Sequence, residues 1–299
     1  LLASSTEIVC ALECGDRLVG RSHECDHPAW VKDLPAITAP KFAIDLPSGE
    51  IDARVRALVE QVVSVYRVDA EALARLEPDL LITQTQCEVC AVSMRDVEMA
   101  LSTVVPSRPA VVALQPDALA DLWKDMRRVA DALGVPERGV QLVTRLRHRL
   151  RAIGERTKTR PRTRVVCIEW IDPLMAAGNW TPELLELAGA DDPLGRPGQH
   201  AGAITLADIT NADPDVIFIT PCGFDLKRTI AELPVLTAKP DWRALRAVRE
   251  GRVFLGDGNA YFNRPGPRVA ETLEILAEAL HPDAFRFGHE GKGWVRWDG

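Results

Sequence analysis

The chain says one thing twice. Residues 77–83 read Glu-Pro-Asp-Leu-Leu-Ile-Thr, and residues 213–220 read Asp-Pro-Asp-Val-Ile-Phe-Ile-Thr. Each phrase follows a short helical pattern, Ala70 to Leu76 and Leu206 to Ala212, and each runs into a loop, 84–93 and 221–225. A second pair of phrases echoes the first. Ser5-Thr6-Glu7-Ile8-Val9 opens a helix that runs to Gly15-Asp16, and Thr181-Pro182-Glu183-Leu184-Leu185 opens one that runs to Gly189-Ala190-Asp191. A duplicated order of this kind implies two similar lobes, and the cleft between two lobes is a natural place for a ligand.

The elements between the repeats alternate in type. Ser4 to Glu7 has the form of a capping box, in which Ser4 and Glu7 satisfy free backbone N–H groups. Gly15 stops the helix, and Leu18–Gly20 reads as a short strand. Helices are expected over 51–62, 70–76, 117–133, 182–187, 206–210 and 268–280, and strands over 80–83, 111–114, 165–168, 216–220 and 252–255. One element stands apart. From Pro136 to Arg156, Val143, Leu146, Leu150 and Ile153 fall at spacings of three and four, the mark of one buried helical stripe. Pro136 suits a first helical turn, where its missing N–H costs nothing. At about 1.5 Å per residue this helix is roughly 30 Å long, enough to cross from one lobe to the other as a stiff strut. Alternating strands and helices argue for an α/β fold with parallel sheets in both halves. The expected organisation is an N-terminal lobe over 1–134, a connecting helix over 135–160 and a C-terminal lobe over 161–299. In such sheets ligands sit at the carboxyl ends of strands, which selects the loops 21–30, 42–50, 84–93, 169–180, 221–226 and 257–264.

Composition narrows the function. At 299 residues and 46% hydrophobic content the chain can fill two cores, which disordered chains cannot. A net charge of −7 argues against a nucleic-acid partner. No apolar run of about 18 residues is present to insert in a membrane. No signal peptide is visible, but the chain starts at Leu1 with words that read as the end of a strand, so a cut N-terminus is expected. Seven scattered cysteines do not form a disulfide framework and lean towards a reducing compartment or a metal site. There is no Gly-rich phosphate loop, nucleophile elbow or paired carboxylate motif, so an enzyme is not expected.

The selected loops carry chemistry. Cys87-Glu88-Val89-Cys90 presents two thiols that can share a metal ion, act as a redox pair, or simply pack a tight loop. His23 and Cys25 lie on a loop expected at the same end of the same lobe, giving a His23, Cys25, Cys87 and Cys90 site for zinc or iron. Trp30, Trp170, Trp180, Tyr261 and Phe262 gather in or beside these loops, in a chain that is only 5% aromatic. Flat rings suit a large planar ligand, and they also suit ordinary lobe-edge packing. Trp180 precedes Thr181, a good N-cap, and is expected to face the cleft at a helix N-terminus, an end that favours anionic groups. Ser22, Glu24, Gln84, Gln86, Asp172, Asn179 and Asn263 can orient a ligand by hydrogen bonds.

Taken together, the ordered set resembles the substrate-binding proteins of ABC importers for cobalamin, haem and ferric siderophores. The resemblance covers nearly the whole chain. It rests on Ser5-Thr6-Glu7-Ile8, on Gly15-Asp16-Arg17-Leu18-Val19-Gly20, on Leu76-Glu77-Pro78-Asp79-Leu80-Leu81-Ile82, and on Trp242, Leu245, Ala247, Val248, Gly251, Arg252 and Val253. Within that family, Arg21-Ser22-His23-Glu24-Cys25-Asp26 and Cys87–Cys90 look like the cobalamin-binding type. The resemblance implies a periplasmic-binding-protein fold of the helical-backbone type, two Rossmann-like lobes joined by one long α-helix. It implies no required cofactor. Its cargo would be cobalamin, with its cobalt, or a related corrinoid, tetrapyrrole or metal chelate, and a His or Cys of these loops could bind the metal. It implies a periplasmic location and an ABC permease partner, met through one exposed Glu per lobe. Glu71 fits the first position, whereas the second lobe reads Ala207 with Asp208 beside it. The other readings are a cytosolic metal or redox protein that uses the cysteine loop on the same fold and, last, an enzyme.

Overall fold

The computed structural model describes residues 1–60, 65–85 and 109–299. The chain divides into two units. Unit 1 is Leu1–Leu46, Glu50–Pro116 and Ala120–Arg145, and unit 2 is Pro47–Gly49, Asp117–Leu119 and Leu146–Gly299.

Through unit 1 the chain runs α1 (Ala3–Ala11), β1 (Thr38–Pro40), α2 (Ser48–Glu60), β2 (Tyr66–Val68), α3 (Ala70–Leu76), β3 (Leu80–Gln84), β4 (Ala110–Leu114), α4 (Leu119–Ala132) and the start of α5 (Pro136–Thr157). β3 and β4 pair in parallel, Leu80 with Ala110 through to Gln84 with Leu114. β1 and β2 pair antiparallel. Asp69 caps α3 by accepting from the Ala72 amide at 2.9 Å. The helix ends at Glu77 in the left-handed region, φ 43°, and Pro78, which cannot continue a helix, leads through Asp79 into β3. Leu73 and Ala72 of α3 pack with Ile37 and Leu81 in a shared core.

Two local expectations are corrected here. α1 is capped by the Leu2 backbone without a side-chain bond. Ser4 and Glu7 lie inside the helix and are buried, and Ser4 Oγ has no partner, so the capping box does not form. Leu18–Gly20 does not become a strand. Its extended backbone leads only to a single parallel bridge, Arg21 with Ala36.

α4 and α5 form a close pair. Gly134, with φ +71°, ends α4. A Cβ on Gly139 would lie 2.5 Å from Ala130 Cβ, so a glycine is required where α5 closes on α4. The stripe of Leu142, Val143, Leu146, Leu150 and Ile153 is buried. With 22 residues, α5 is roughly 33 Å long at about 1.5 Å per residue, and it carries the chain from unit 1 into unit 2.

Unit 2 continues with β5 (Thr163–Trp170), β6 (Met175–Ala176), β7 (Gly178–Asn179), α6 (Thr181–Leu187), β8 (Ala190–Asp191), β9 (Arg196–Pro197), β10 (Gly202–Ala203), α7 (Leu206–Ala212) and β11 (Val216–Ile219). It closes with α8 (Leu226–Glu232), α9 (Pro234–Thr237), α10 (Arg246–Arg249), β12 (Val253–Gly256), α11 (Val269–Leu280) and β13 (Trp294–Trp297). The main sheet runs β10-β6-β5-β11-β12-β13, with β8 also on β5. β5, β11 and β12 are mutually parallel. Val165 to Ile168 and Val216 to Ile219 are fully buried, as strands covered on both faces must be. The flanking strands are antiparallel, β6 on β5 and β13 on β12, so the sheet is mixed where a wholly parallel one was expected. β13 is built from the tail, which no periodicity marked as a strand.

The tail is held by one carboxylate. Glu278 of α11 accepts from the amides of Phe287 (2.5 Å), Gly288 (2.7 Å), His289 (3.1 Å) and Glu290 (2.8 Å), and from Trp294 Nε1 (3.1 Å). Burial acts to raise its pKa, but the Trp294 and backbone hydrogen bonds outweigh burial and hold the carboxyl below its usual range.

Candidate functional site

In unit 1 the loop after Gly20 is stapled by one side chain. The Arg21 guanidinium donates to the carbonyls of Leu34 (3.0 Å), Ser22 (3.1 Å), Lys32 (3.2 Å) and His23 (3.5 Å). The Arg21 amide and carbonyl also bond to Pro35 O and Ile37 N, each at 2.9 Å. A loop fixed at this many points is pre-organised, which lowers the ordering cost of binding.

That loop presents His23. Its amide and its Nδ1 both meet Thr38 Oγ1, at 3.0 and 2.8 Å. Thr38 Oγ1 donates to Ser22 Oγ at 3.1 Å, and Ser22 Oγ accepts from the Glu24 amide at 3.3 Å. The Tyr66 ring lies 5.1 Å from the imidazole, and the Tyr66 hydroxyl donates to Glu24 Oε1 at 3.3 Å. His23 Nε2 is buried without a hydrogen-bond partner. Burial first, and the Arg21 charge second, push the imidazole below its usual range, so the ring is held neutral. Ser22, His23 and Glu24 thus stand together in one network, with Thr38 and Tyr66, which sequence reasoning did not select.

The other unit 1 candidates are placed elsewhere. Cys25 is buried in a small core with Ala3 and Val31, and its Sγ lies 3.1 Å from Thr6 Oγ1. Cys87, Cys90 and Gln86 lie outside the described residues. Among the described residues no group of three or more His, Cys, Asp or Glu is placed to hold a metal ion, and the five described cysteines are free thiols. Burial pushes the Cys10 thiol up to about 11, assisted by Glu7 and Cys25, so it is an inert thiol at neutral pH. Gln84 is buried at the end of β3. Trp30 is 45% exposed and its ring covers Gly15, past the C-terminal end of α1, so it does not join the His23 network. A cavity of about 80 Å³ lies under α1 and α3, lined by Leu1, Val9, Leu18, Leu73 and Leu81 among others. It is far below the ~300 Å³ at which small-molecule pockets begin.

In unit 2 the strand ends bring together a different set. Trp170 closes β5, and its Nε1 donates to Asp172 O at 2.9 Å. The Trp170 ring lies 5.3 Å from Phe224, and the Arg228 guanidinium lies over Phe224 at 4.7 Å. Asn179 takes φ 52° and its amide bonds Gln199 O at 2.6 Å. Asn263 Nδ2 donates to Thr220 O at 3.0 Å, and the buried Arg264 donates to Asn259 Oδ1 at 3.0 Å. The Tyr261 ring carries Arg268 at 5.3 Å. Two of the aromatic candidates are buried in this structure. Trp180 is 5% exposed, with Nε1 unpartnered, and Phe262 is 1% exposed against Phe218. Both rings turn inward. Gly256 makes this possible for Phe262, since a Cβ there would lie 2.5 Å from its ring. Arg228 was not selected, though it follows directly on the selected loop 221–226, and Phe224 within that loop is itself only 5% exposed beneath the Arg228 guanidinium.

The docking candidate Glu71 is exposed on the first turn of α3, 4.0 Å from Arg75. In unit 2 the adjacent Asp208 is engaged in a capping box with Thr205.

With this fold and these sites, the chain belongs to the periplasmic binding protein family, whose model matches residues 1–260. Proteins of this family are substrate-binding proteins for ABC transporters rather than enzymes. A relative is the uncharacterized ABC transporter substrate-binding lipoprotein YvrC of Bacillus subtilis, 25% identical over 292 residues, covering 96% of this chain and 80% of that one. A periplasmic heme-binding protein from Pseudomonas aeruginosa shares the fold with a TM-score of 0.70 at 22% identity, over 94% of this chain and 90% of that one. The periplasmic vitamin B12-binding protein BtuF of Vibrio cholerae does so with a TM-score of 0.65 at 19% identity, over 95% and 96%. Among the described residues no helix is long and apolar enough to cross a membrane.

Proposed function

We propose that this chain captures cobalamin, or a closely related metal-bearing corrinoid or tetrapyrrole, outside the cytoplasm and delivers it to an ABC permease. The observation that carries the reading is the His23 network of unit 1, an imidazole fixed by Thr38 beside the Tyr66 ring. Unit 2, taken by itself, offers the half-buried Trp170 at the end of β5 and the Arg228 guanidinium lying over the buried Phe224. Flat rings bury a macrocycle's faces at low entropy cost, and a guanidinium matches its carboxylate or phosphate substituents. The heme-binding and vitamin B12-binding proteins that share the fold support this ligand class. Delivery would use Glu71 as the unit 1 contact to the permease. The zinc or iron site of His23, Cys25, Cys87 and Cys90 is not favoured by the described half, because Cys25 is packed against Thr6. Calorimetric titration with cyanocobalamin and hydroxocobalamin tests the reading. Saturable one-to-one binding is expected, and no heat with either cobalamin or with haemin would overturn it.

A further inference from the structure

The arginines of α5 are of two kinds. Some hold the fold together. Arg149 donates to Glu271 at 3.0 Å and to Glu274 at 2.7 Å. Arg138 donates to the carbonyls of Leu12 (3.1 Å) and Glu13 (3.0 Å), and the Arg156 guanidinium lies 4.1 Å over the Phe285 ring. Arg145, Arg147 and Arg151 do nothing of this sort. All three are exposed, with the exposed His148 among them. Arg145 and Arg147 pair with no described residue. Arg151 acts only through space on Glu155, whose carboxylate already accepts from Lys158 at 2.6 Å. From 145 to 158 the chain has six basic residues against one acidic, in a protein whose acidic residues outnumber its basic ones 43 to 36. Arg147 and Arg151 stand four apart, and like charges at that spacing destabilise a helix. The row therefore works slightly against α5 and does nothing for the packing beneath it.

What such a face can meet is decided by its apolar content. A protein interface needs an apolar or aromatic centre inside its polar rim. Around these arginines stand Gln141, Thr144 and Ala152, all exposed, and Val140 is the one large apolar side chain exposed on α5. The face offers charge without an anchor. We propose that this face of α5 rests on an anionic lipid surface, with its guanidiniums bonded to lipid phosphates. A guanidinium fork matches phosphate oxygens with two parallel hydrogen bonds, and each basic residue held within a Debye length of an anionic bilayer adds to binding. The contact is peripheral, since α5 is not apolar enough to enter the bilayer. With a net charge of −7, the rest of the chain is repelled by the same surface, so the contact orients the protein as well as holding it. The proposal is independent of which cargo the protein carries.

Co-sedimentation of the full chain with vesicles tests this, using phosphatidylcholine alone and phosphatidylcholine mixed with phosphatidylglycerol. Binding should appear only with phosphatidylglycerol and should fall as salt is raised. The triple variant Arg145→Gln, Arg147→Gln and Arg151→Gln should bind the anionic vesicles at least about tenfold more weakly. Glutamine is close to arginine in helix propensity, so the melting temperature of the variant should not fall, and circular dichroism should show the same helix content. Equal binding by the folded triple variant overturns the proposal, and so does wild-type protein that ignores anionic vesicles at low salt. Wild-type protein retained on immobilised polyglutamate but not on the vesicles would assign the face to an acidic protein instead. None of these outcomes touches the cargo reading, which the cobalamin and haemin titrations decide separately.

Discussion

The segments Ala70–Gln84 and Leu206–Ile219 are the same backbone written twice. Each opens with an N-cap side chain, Asp69 or Thr205, that accepts from an amide inside the first turn. Each helix has seven residues and ends in a left-handed residue, Glu77 with φ 43° or Asp213 with φ 40°. Each then passes through Pro-Asp into a parallel strand. What differs is everything attached to that backbone. In unit 2, Arg246 ties down Asp213 and Asp215 at 2.9 Å each, and Asp215 accepts from the Arg164 amide at 2.8 Å. Glu77 and Asp79, their unit 1 counterparts, are exposed. β11 is flanked on both sides and wholly buried. Glu71 stands where unit 2 has Ala207. A duplicated fold therefore conserves the local stereochemistry that makes helix turn into strand, and leaves surface and site to diverge.

Four experiments break or sharpen that comparison. The largest effect should come from the feature found in unit 2, the carboxylate that anchors the tail. Glu278→Ala removes the acceptor for four backbone amides and an indole, and should cost about 3 kcal/mol in urea unfolding, in the range for breaking a buried hydrogen-bonded charge. Hydrogen exchange should show loss of protection over β13. Next is Asp192, whose Oδ1 accepts from the Leu194 and Gly195 amides at 3.1 and 2.9 Å while its Oδ2 is buried without a partner. Burial outweighs those hydrogen bonds and raises its pKa to about 7. The folded state thus holds a proton that the unfolded chain releases near the usual carboxylate range, so stability falls as pH rises from about 4 through 7. Asp192→Asn should raise the melting temperature at pH 8, by an amount worth on the order of 2 kcal/mol, with the gain vanishing at pH 4. A pH-independent difference would refute the assignment.

The matched caps come third. Asp69→Ala and Thr205→Ala should each cost about 1 kcal/mol, and unequal losses would show that the two copies are not energetically equivalent. The smallest effect is at Glu71. With an 87% exposed side chain, its change to Ala should leave stability within about 0.5 kcal/mol, while reducing stimulation of permease ATPase activity. Full stimulation by the variant would remove Glu71 from docking.

The repeat was legible because helix, left-handed cap, Pro and strand are set by neighbouring residues. α5 was legible because its stripe keeps a spacing of three and four over about three turns. The site was half legible. Ser22, His23 and Glu24 lie together in sequence, but Thr38 and Tyr66 reach them from the three-residue strands β1 and β2, too short to carry a pattern. Burial of a loop aromatic was not legible either: Phe262 packs against Phe218 because a glycine stands at position 256, where a Cβ would meet its ring. Glu278 looked like one more charge on an amphipathic helix. Its role depends on a tail that returns to it from residues 287–294.

The most direct test of the central claim is native mass spectrometry of the protein mixed with equimolar cyanocobalamin, aquocobalamin, haemin and a ferric hydroxamate siderophore. A one-to-one complex with a corrinoid or haem, and none with the siderophore, is the predicted result. A siderophore complex alone, or the bare protein in every mixture, would contradict it.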